Sequence, residues 1–241
     1  MATASSTSST TTTTNTATNA EPLPWSTGKG DALARIRNTC TVKRTLNDSG
    51  PGALPNTTIE IVDDTCESGL PHTSDAHTIR MTEGVWNSSR RETILTHERV
   101  HLEQRRAPDT WKEFYRAKWN YTITDTPPKG VPATVIGNLR GNPDIHPERW
   151  ACWGERYWFL TTYTDTMHPT LTGAVTRVWD AKTSTWVQQP REWRAFFCTA
   201  AGECPSQWEH PHELAAEMWA DLERWTTPAA VALRNFMSSF N

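Results

Sequence analysis

Two histidines and a glutamate stand together near the middle of the chain, where residues 97–101 read HERVH. If this segment is helical, His97 and His101 lie one turn apart on the same face. That spacing suits two corners of a tetrahedral zinc site, and Glu98 beside them suits a base that takes a proton from a zinc-bound water. The motif therefore predicts one zinc ion as cofactor and hydrolysis as its chemistry.

The surroundings of the motif predict a helix over about 89–107. Ser89 and Glu92 have the spacing of a capping box, which is typical of a helix start, and Pro108 predicts the end of the helix. Apolar residues at helical spacing predict a buried face, and the two histidines and the glutamate fall within or beside it. Burying these three groups unpaired is costly, whereas a metal ion would satisfy all of them.

A catalytic zinc ion usually has three protein ligands and a water, so two histidines are not enough. A second amphipathic helix is predicted over about 211–225, because Pro211 suits its first position and apolar residues follow at helical spacing. Glu213, Glu217 and Asp221 run along one side of this predicted helix. A helix that brings a glutamate to a site on another helix is the arrangement expected for the third ligand.

The HERVH motif and the later segment Glu213-Leu-Ala-Ala-Glu217 resemble the zincin metallopeptidases of the gluzincin type. The resemblance implies that His97 and His101 bind zinc and that Glu98 is the general base of peptide-bond hydrolysis. It also implies that Glu213 is the third ligand and that Glu217 supports His97 from behind. The implied partner is a peptide or protein substrate.

Two assignments stay open in the sequence. The register of the acidic helix has a rival, in which Glu217 is the ligand and Asp221 stands behind it, although the form of the motif favours Glu213. The residue that would stabilise the oxyanion of the reaction is also open, because peptidases of this type often use a tyrosine or a histidine. The candidates are Tyr157, Tyr163, His168 and His210.

The resemblance implies an α+β, zincin-like fold, with a small mixed sheet packed on the HExxH helix and a helical C-terminal part. We expect a disordered Thr/Ser-rich tail over 1–25 and one domain over 26–241, with a β-rich insertion between the ligands at about 120–205. A further helix, about 110–119, is predicted from a Thr110-x-x-Glu113 capping box, and the last helix is predicted at about 228–240. Alternation and turn signals predict strands at 40–44, 58–62, 77–82 and 157–163, and a hairpin of 175–179 with 185–188. Of these, 77–82 is the candidate for the sheet edge that pairs with extended substrate.

Composition excludes several classes. The net charge of −3 gives no reason to expect nucleic-acid binding, and no apolar run is long enough to span a membrane. Neither a secretory signal nor a transmembrane segment is evident, so a cytoplasmic or particle-associated location is favoured. Among the five cysteines, Cys40 with Cys66 and Cys198 with Cys204 could pair in an oxidising compartment, but we expect mostly free thiols. The alternative function is a non-catalytic zincin-like protein that binds zinc for structure; an intact glutamate in HERVH argues against it.

Overall fold

The computed structural model describes residues 40–73, 75–145, 150–165, 170 and 173–239, and the predicted tail lies outside them. Over these residues the chain is a mixed α+β protein with two small sheets and seven α-helices. No helix in these ranges is both long and apolar enough to cross a membrane.

The first sheet comes first in the chain and is followed by three helices. The second sheet comes next, with one short helix inserted in it, and three helices end the chain. The helices are α1 (Glu83–Trp86), α2 (Arg91–Arg106), α3 (Pro108–Trp119), α4 (Ala133–Ile136), α5 (Arg191–Phe197), α6 (Pro211–Ala220) and α7 (Pro228–Met237). The strands are β1 (Val42–Asn47), β2 (Thr58–Val62), β3 (His72–Thr73), β4 (Thr78–Thr82), β5 (Tyr121–Thr124), β6 (Trp150–Trp153), β7 (Tyr157–Tyr163), β8 (Ala174–Asp180) and β9 (Thr185–Val187).

The first sheet is mixed and packs against α2. Its order is β1-β2-β4-β3, in which β2 and β4 are parallel and the two other pairs are antiparallel. The alternating apolar residues of β2 and β4 point to one side, as the period of a strand requires, and meet two leucines of α2. The buried cluster consists of Ile59, Ile61, Ile79, Met81, Leu95 and Leu102.

The predicted edge strand is wrong. The segment 77–82 corresponds to β4, which lies inside the sheet between β2 and β3. The edge strands are β1 and β3, and the one next to β4 is β3, a strand of only two residues that pairs with Ile79 and Arg80. A strand this short has no alternation pattern for a sequence to display.

The helix that carries HERVH begins later than predicted, at Arg91, and neither predicted capping box forms. Arg90 is the N-cap of α2 and makes no side-chain cap, and Glu92 pairs with Arg91 instead. Helix α3 begins at Pro108, two residues before the predicted cap at Thr110. Proline fits this first position because the amide hydrogen that it lacks has no partner there. The same proline therefore ends α2, as predicted, and starts α3.

The predicted β-rich insertion is a second, antiparallel sheet of five strands in the order β5-β6-β7-β8-β9. The strand predicted at 157–163 is β7, and the predicted hairpin is β8 with β9. Helices α3, α5, α6 and α7 cover one side of this sheet, and their shared core is rich in large aromatic residues that are fully buried. These are Trp111, Trp119, Trp193, Trp225, Tyr115, Tyr121 and Phe197.

The expectation of mostly free thiols is wrong. Cys40 pairs with Cys66 and Cys198 pairs with Cys204, so that only Cys152, which is buried, is a free thiol in the described part of the chain. The pairings are those that the spacing suggested, and disulfides are typical of oxidising surroundings.

Candidate metal centre

Helix α2 is buried on almost every side, and this burial orients the motif. Leu95 and Leu102 face the first sheet. The neighbouring face of α2, which carries His97 and His101, is directed towards α6. Glu98 is 3% exposed and His101 is fully buried, while the side chain of His97 is 17% exposed. Glu98 and His101 are thus shielded from solvent, and His97 is the one of the three that stays partly exposed.

Helix α6 brings Glu213 to this surface. His210 caps the helix, because its Nδ1 accepts a hydrogen bond from the backbone N–H of His212 at 3.2 Å. Glu213 lies in the first turn, where the helix dipole favours a carboxylate. Ala215 and Ala216 are fully buried, and their small side chains let α6 pack closely in the core. The helix ends at Ala220, five residues earlier than predicted, although Trp225 beyond it is still buried.

The side chains of His97, His101 and Glu213 converge. Glu213 Oε2 lies 3.4 Å from His97 Nε2 and 3.4 Å from His101 Nε2, and the two Nε2 atoms are 3.0 Å apart. A tetrahedral zinc ion with ligands at about 2.0–2.1 Å needs ligand atoms about 3.4 Å from one another. The three separations therefore fit three corners of a tetrahedron, and two imidazoles with one carboxylate are a donor set that zinc prefers.

Gln104 fixes the orientation of His101. The Nε2 amide of Gln104 donates to the carbonyl of His212 at 3.0 Å and to the hydroxyl of Tyr115 at 3.0 Å. Its Oε1 must therefore face His101 Nδ1, at 2.8 Å, and accept a hydrogen bond from it. With the proton held on Nδ1, the Nε2 lone pair of His101 is available to a metal ion.

The turn Asn142-Pro143-Asp144, which lies between α4 and β6, also contacts the centre. Asn142 Nδ2 donates to Glu213 Oε1 at 2.6 Å. Two residues later, Asp144 Oδ1 accepts hydrogen bonds from the backbone N–H and the hydroxyl of Thr73 on β3, at 2.7 and 2.9 Å. The turn thereby links α6 to the edge strand of the first sheet.

Glu98 has an orphaned carboxylate oxygen. Its Oε2 is buried and has no hydrogen-bond partner among the described residues. Buried polar atoms are almost always satisfied, so such an atom in a native structure calls for a water or an ion that completes it. Glu98 also lines the cleft described below. These are the surroundings expected for a group that exchanges protons with a bound water.

The charges at the centre favour a cation. Burial raises the pKa of Glu98 well above its usual value, and the carboxylate of Asp144 raises it further. Burial by itself lowers the pKa of His101, but Glu213 and Asp144 raise it to about 10. Burial raises the pKa of Glu213, but the two histidines hold it well below its usual value. The raised pKa of His101 means that Glu213 and Asp144 favour positive charge at this imidazole, and a divalent ion in place of the Nε2 proton would supply that charge.

A cleft of about 480 Å³ opens beside the centre. One side is lined by Glu67 and the segment 69–72, which leads into β3, and another by the C-terminal half of α6 with Ser206 and Gln207. The centre contributes His97, Glu98 and Glu213 to the lining, together with the turn Asn142-Pro143-Asp144. Two of the three converging side chains, His97 and Glu213, therefore face the cleft together with Glu98.

Glu217 has partners other than the one that the resemblance implies. Its carboxylate accepts hydrogen bonds from the backbone N–H and hydroxyl of Ser206, at 2.9 and 3.1 Å, and from the backbone N–H of Gln207, at 2.8 Å. Among the described residues it makes no hydrogen bond to His97. Glu217 therefore fixes the loop before α6, one turn away from the ligand cluster, and the rival register with Asp221 brings no ligand to the histidines.

The candidates for oxyanion stabilisation do not gather at the cleft. Tyr157, Tyr163 and His210 are not among the residues that line it. His210 caps α6, and Tyr157 packs against Trp153 and Arg156 in the second sheet. His168 lies outside the described residues.

The sequence revealed neither the role of Gln104 nor that of Asn142. Gln104 follows His101 by three positions on the same helix, and a hydrogen-bonding residue at this spacing is the one signal that could have indicated a partner. The segment Asn142-Pro143-Asp144 reads first as a turn, and its contacts to Glu213 and Thr73 span 71 residues each. No sequence pattern reports contacts of that range.

No protein-family model, curated protein or solved structure matches the chain. The interpretation of the centre therefore rests on its own geometry.

Proposed function

We propose that this protein is a zinc-dependent metallopeptidase with a zincin-like arrangement of its active site. The observation that carries the proposal is the convergence of His97, His101 and Glu213 from two helices at separations of 3.0–3.4 Å. Glu98, adjacent to His97 in the chain, is buried at the same place and has an oxygen without a partner. Two imidazole ligands, one carboxylate ligand and a neighbouring general base are the groups that a zinc hydrolase of this kind requires.

Two features favour catalysis over a structural role for the ion. A structural zinc ion usually has four protein ligands, whereas a catalytic one has three and an open position. Here three side chains converge, and two of them line a cleft together with Glu98. A purely structural site also has no use for a buried carboxylate without a partner, which costs free energy.

Each residue then has a task in peptide hydrolysis. His97, His101 and Glu213 would hold zinc, and zinc when bound supplies a Lewis acid that lowers the pKa of a water to about 7. Glu98 accepts the proton of the attacking water and delivers it to the leaving amine. Gln104 keeps the proton of His101 on Nδ1, which leaves Nε2 free for the metal.

A peptide is the substrate that the cleft favours. The segment 69–72 on one side leads into β3, which is an edge strand antiparallel to its neighbour and beside α2. Extended peptides bind exposed backbone through its N–H and C=O groups. The N–H of Thr73 is already bonded to Asp144, so the segment 69–72, which lines the cleft, would make this pairing. The cleft has room for several residues and is open to solvent at the side of His97, whose side chain is the most exposed of the three.

The decisive experiment combines metal analysis with Glu98→Gln. The purified chain should hold about one zinc ion, which a His97→Ala, His101→Ala variant should lose. Glu98→Gln should retain the zinc and lose peptide cleavage by at least 100-fold, because general-base catalysis contributes about 10²–10⁴-fold. Zinc retention with unchanged cleavage would exclude Glu98 as the base. Zinc retention without cleavage in the wild-type chain, over a broad peptide library, would support the structural alternative.

A further inference from the structure

Only one oxygen of Glu213 faces the histidines, and the other is held by Asn142. Oε2 is 3.4 Å from both Nε2 atoms. Oε1 accepts a hydrogen bond of 2.6 Å from Asn142 Nδ2. A glutamate side chain has three rotatable bonds, so its carboxylate needs a partner to fix which oxygen meets a ligand position. Asn142 is the partner that does this in the described part of the chain.

The orientation of the Asn142 amide is itself determined. Its Oδ1 accepts a hydrogen bond from the backbone N–H of Asp144 at 3.0 Å, so the amide nitrogen has to point the other way, towards Glu213. The second hydrogen of that nitrogen is directed at Glu209 Oε1, 3.4 Å away. The hydrogen-bond network therefore identifies Nδ2 of Asn142 as the donor of the 2.6 Å hydrogen bond to Glu213.

The turn that carries Asn142 is anchored to both of the elements around the centre. Asp144 is hydrogen-bonded to Thr73 of β3. Arg105 of α2 donates to the carbonyl of Pro143 at 2.5 Å and to the hydroxyl of Thr73 at 3.1 Å. Asn142 is thus held at a fixed position relative to α2, the helix that carries the two histidines.

We infer that Asn142 is a positioning residue for the metal centre: it acts through Glu213, by holding one carboxylate oxygen so that the other is aimed at the two histidines. The inference rests on the proposed function, since it concerns the same centre. It assigns to the inserted region between the ligands a direct part in metal binding, beyond shaping the cleft. Groups that orient metal ligands in this way typically change metal affinity by 10–100-fold.

The test is a double-mutant cycle on zinc affinity, measured by competition with a chelator. Asn142→Ala should weaken zinc binding by roughly 10–100-fold in the wild-type background. In a Glu213→Ala background the same change should have an effect of less than about twofold, because the residue through which it acts is absent. Asn235→Ala, on the exposed surface of α7, is the matched control and should leave zinc affinity unchanged.

Replacing zinc with Co²⁺ adds a second measurement, which would not change if Asn142 only stabilised the fold. The visible absorption of Co²⁺ reports the ligand geometry, and Asn142→Ala should change it while Asn235→Ala does not. If the alanine variant does not fold, Asn142→Ser serves instead, because a serine can still accept from the N–H of Asp144 but is too short to reach Glu213.

Three results distinguish the possibilities. Wild-type zinc affinity and an unaltered cobalt spectrum in the Asn142 variants would overturn the inference. Equal weakening by the asparagine substitution in both backgrounds would overturn it as well, since the effect would not pass through Glu213. A wild-type chain that binds no zinc would instead remove the proposed function, and this is seen before any Asn142 variant is measured.

Discussion

Replacing Glu213 should weaken zinc binding far more than replacing Glu217, one turn later on the same helix. Glu213 is 2% exposed and contacts both imidazoles, whereas the hydrogen bonds of Glu217 to described residues go to the loop at 206–207. The binding free energy of zinc in small structural sites is about 10–16 kcal/mol. One of three protein ligands then accounts for roughly 3–5 kcal/mol, which corresponds to a loss of at least about 100-fold in affinity. Glu217→Ala should change the affinity by less than about fivefold, or under about 1 kcal/mol.

Chelator competition on the two alanine variants measures this difference directly. Glu213→Gln is the second variant, because it preserves the volume of the side chain and removes only its charge. We expect its zinc affinity to fall between those of the wild type and Glu213→Ala. Similar affinities for Glu213→Ala and Glu217→Ala, or a larger loss for Glu217→Ala, would refute the assignment of the third ligand.

Two further substitutions test the surroundings of the centre and of the second sheet. Gln104→Met removes the acceptor for His101 Nδ1 and should weaken zinc binding by roughly 10–100-fold. The same change should lower the free energy of unfolding of the metal-free chain by about 1–3 kcal/mol, since Tyr115 and His212 each lose a buried hydrogen bond; wild-type values in both assays would argue against this role. Asp180→Asn breaks the hydrogen-bonded pair with Arg156, which holds the pKa of Asp180 well below its usual value. Because the carboxylate is stabilised in the folded state, its contribution is fully present above about pH 4–5 and is lost as the pH falls further. Thermal melts should therefore show the variant roughly 2–4 °C below the wild type at pH 7 and a smaller difference at pH 3; an equal difference at both values would contradict the pair's role.

The convergence of His97, His101 and Glu213 was the most predictable feature of the candidate site. Two histidines four residues apart predict a shared helix face. Pro211 predicts the start of a helix that carries Glu213 in its first turn. Both inferences use local periodicity, which a sequence records directly. The same holds for strands β2 and β7, whose bounds match the alternating pattern.

Features that depend on distant contacts were not predictable in this way. Arg99 has the local pattern of a solvent-facing residue of α2, yet it is buried in a bidentate ion pair with Asp48 at the start of the β1–β2 connection. The edge strand β3 exists because Asp144 and Ile79 hold it on either side. Asp48 is 51 residues from Arg99 and Asp144 is 71 residues from Thr73, and the local sequence gives no sign of either contact.

The capping boxes failed for a related reason. Each was a correct local motif, but tertiary packing set the helix start elsewhere, at Arg91 and at Pro108. Capping contributes only about 1 kcal/mol, so burial of an aromatic core next to α3 can override it. Local signals therefore located the helices better than they located their ends.

Both disulfides are close in sequence to segments that line the cleft, and neither involves the helices that carry His97, His101 and Glu213. Cys66 stands immediately before the lining residues Glu67–His72, and Cys204 stands two positions before Ser206. Helices α2 and α6, which supply the three converging side chains, contain no cysteine. Under the proposed function, reduction of either disulfide would therefore act first on segments that line the cleft and leave the two helices of the candidate centre without a direct chemical change.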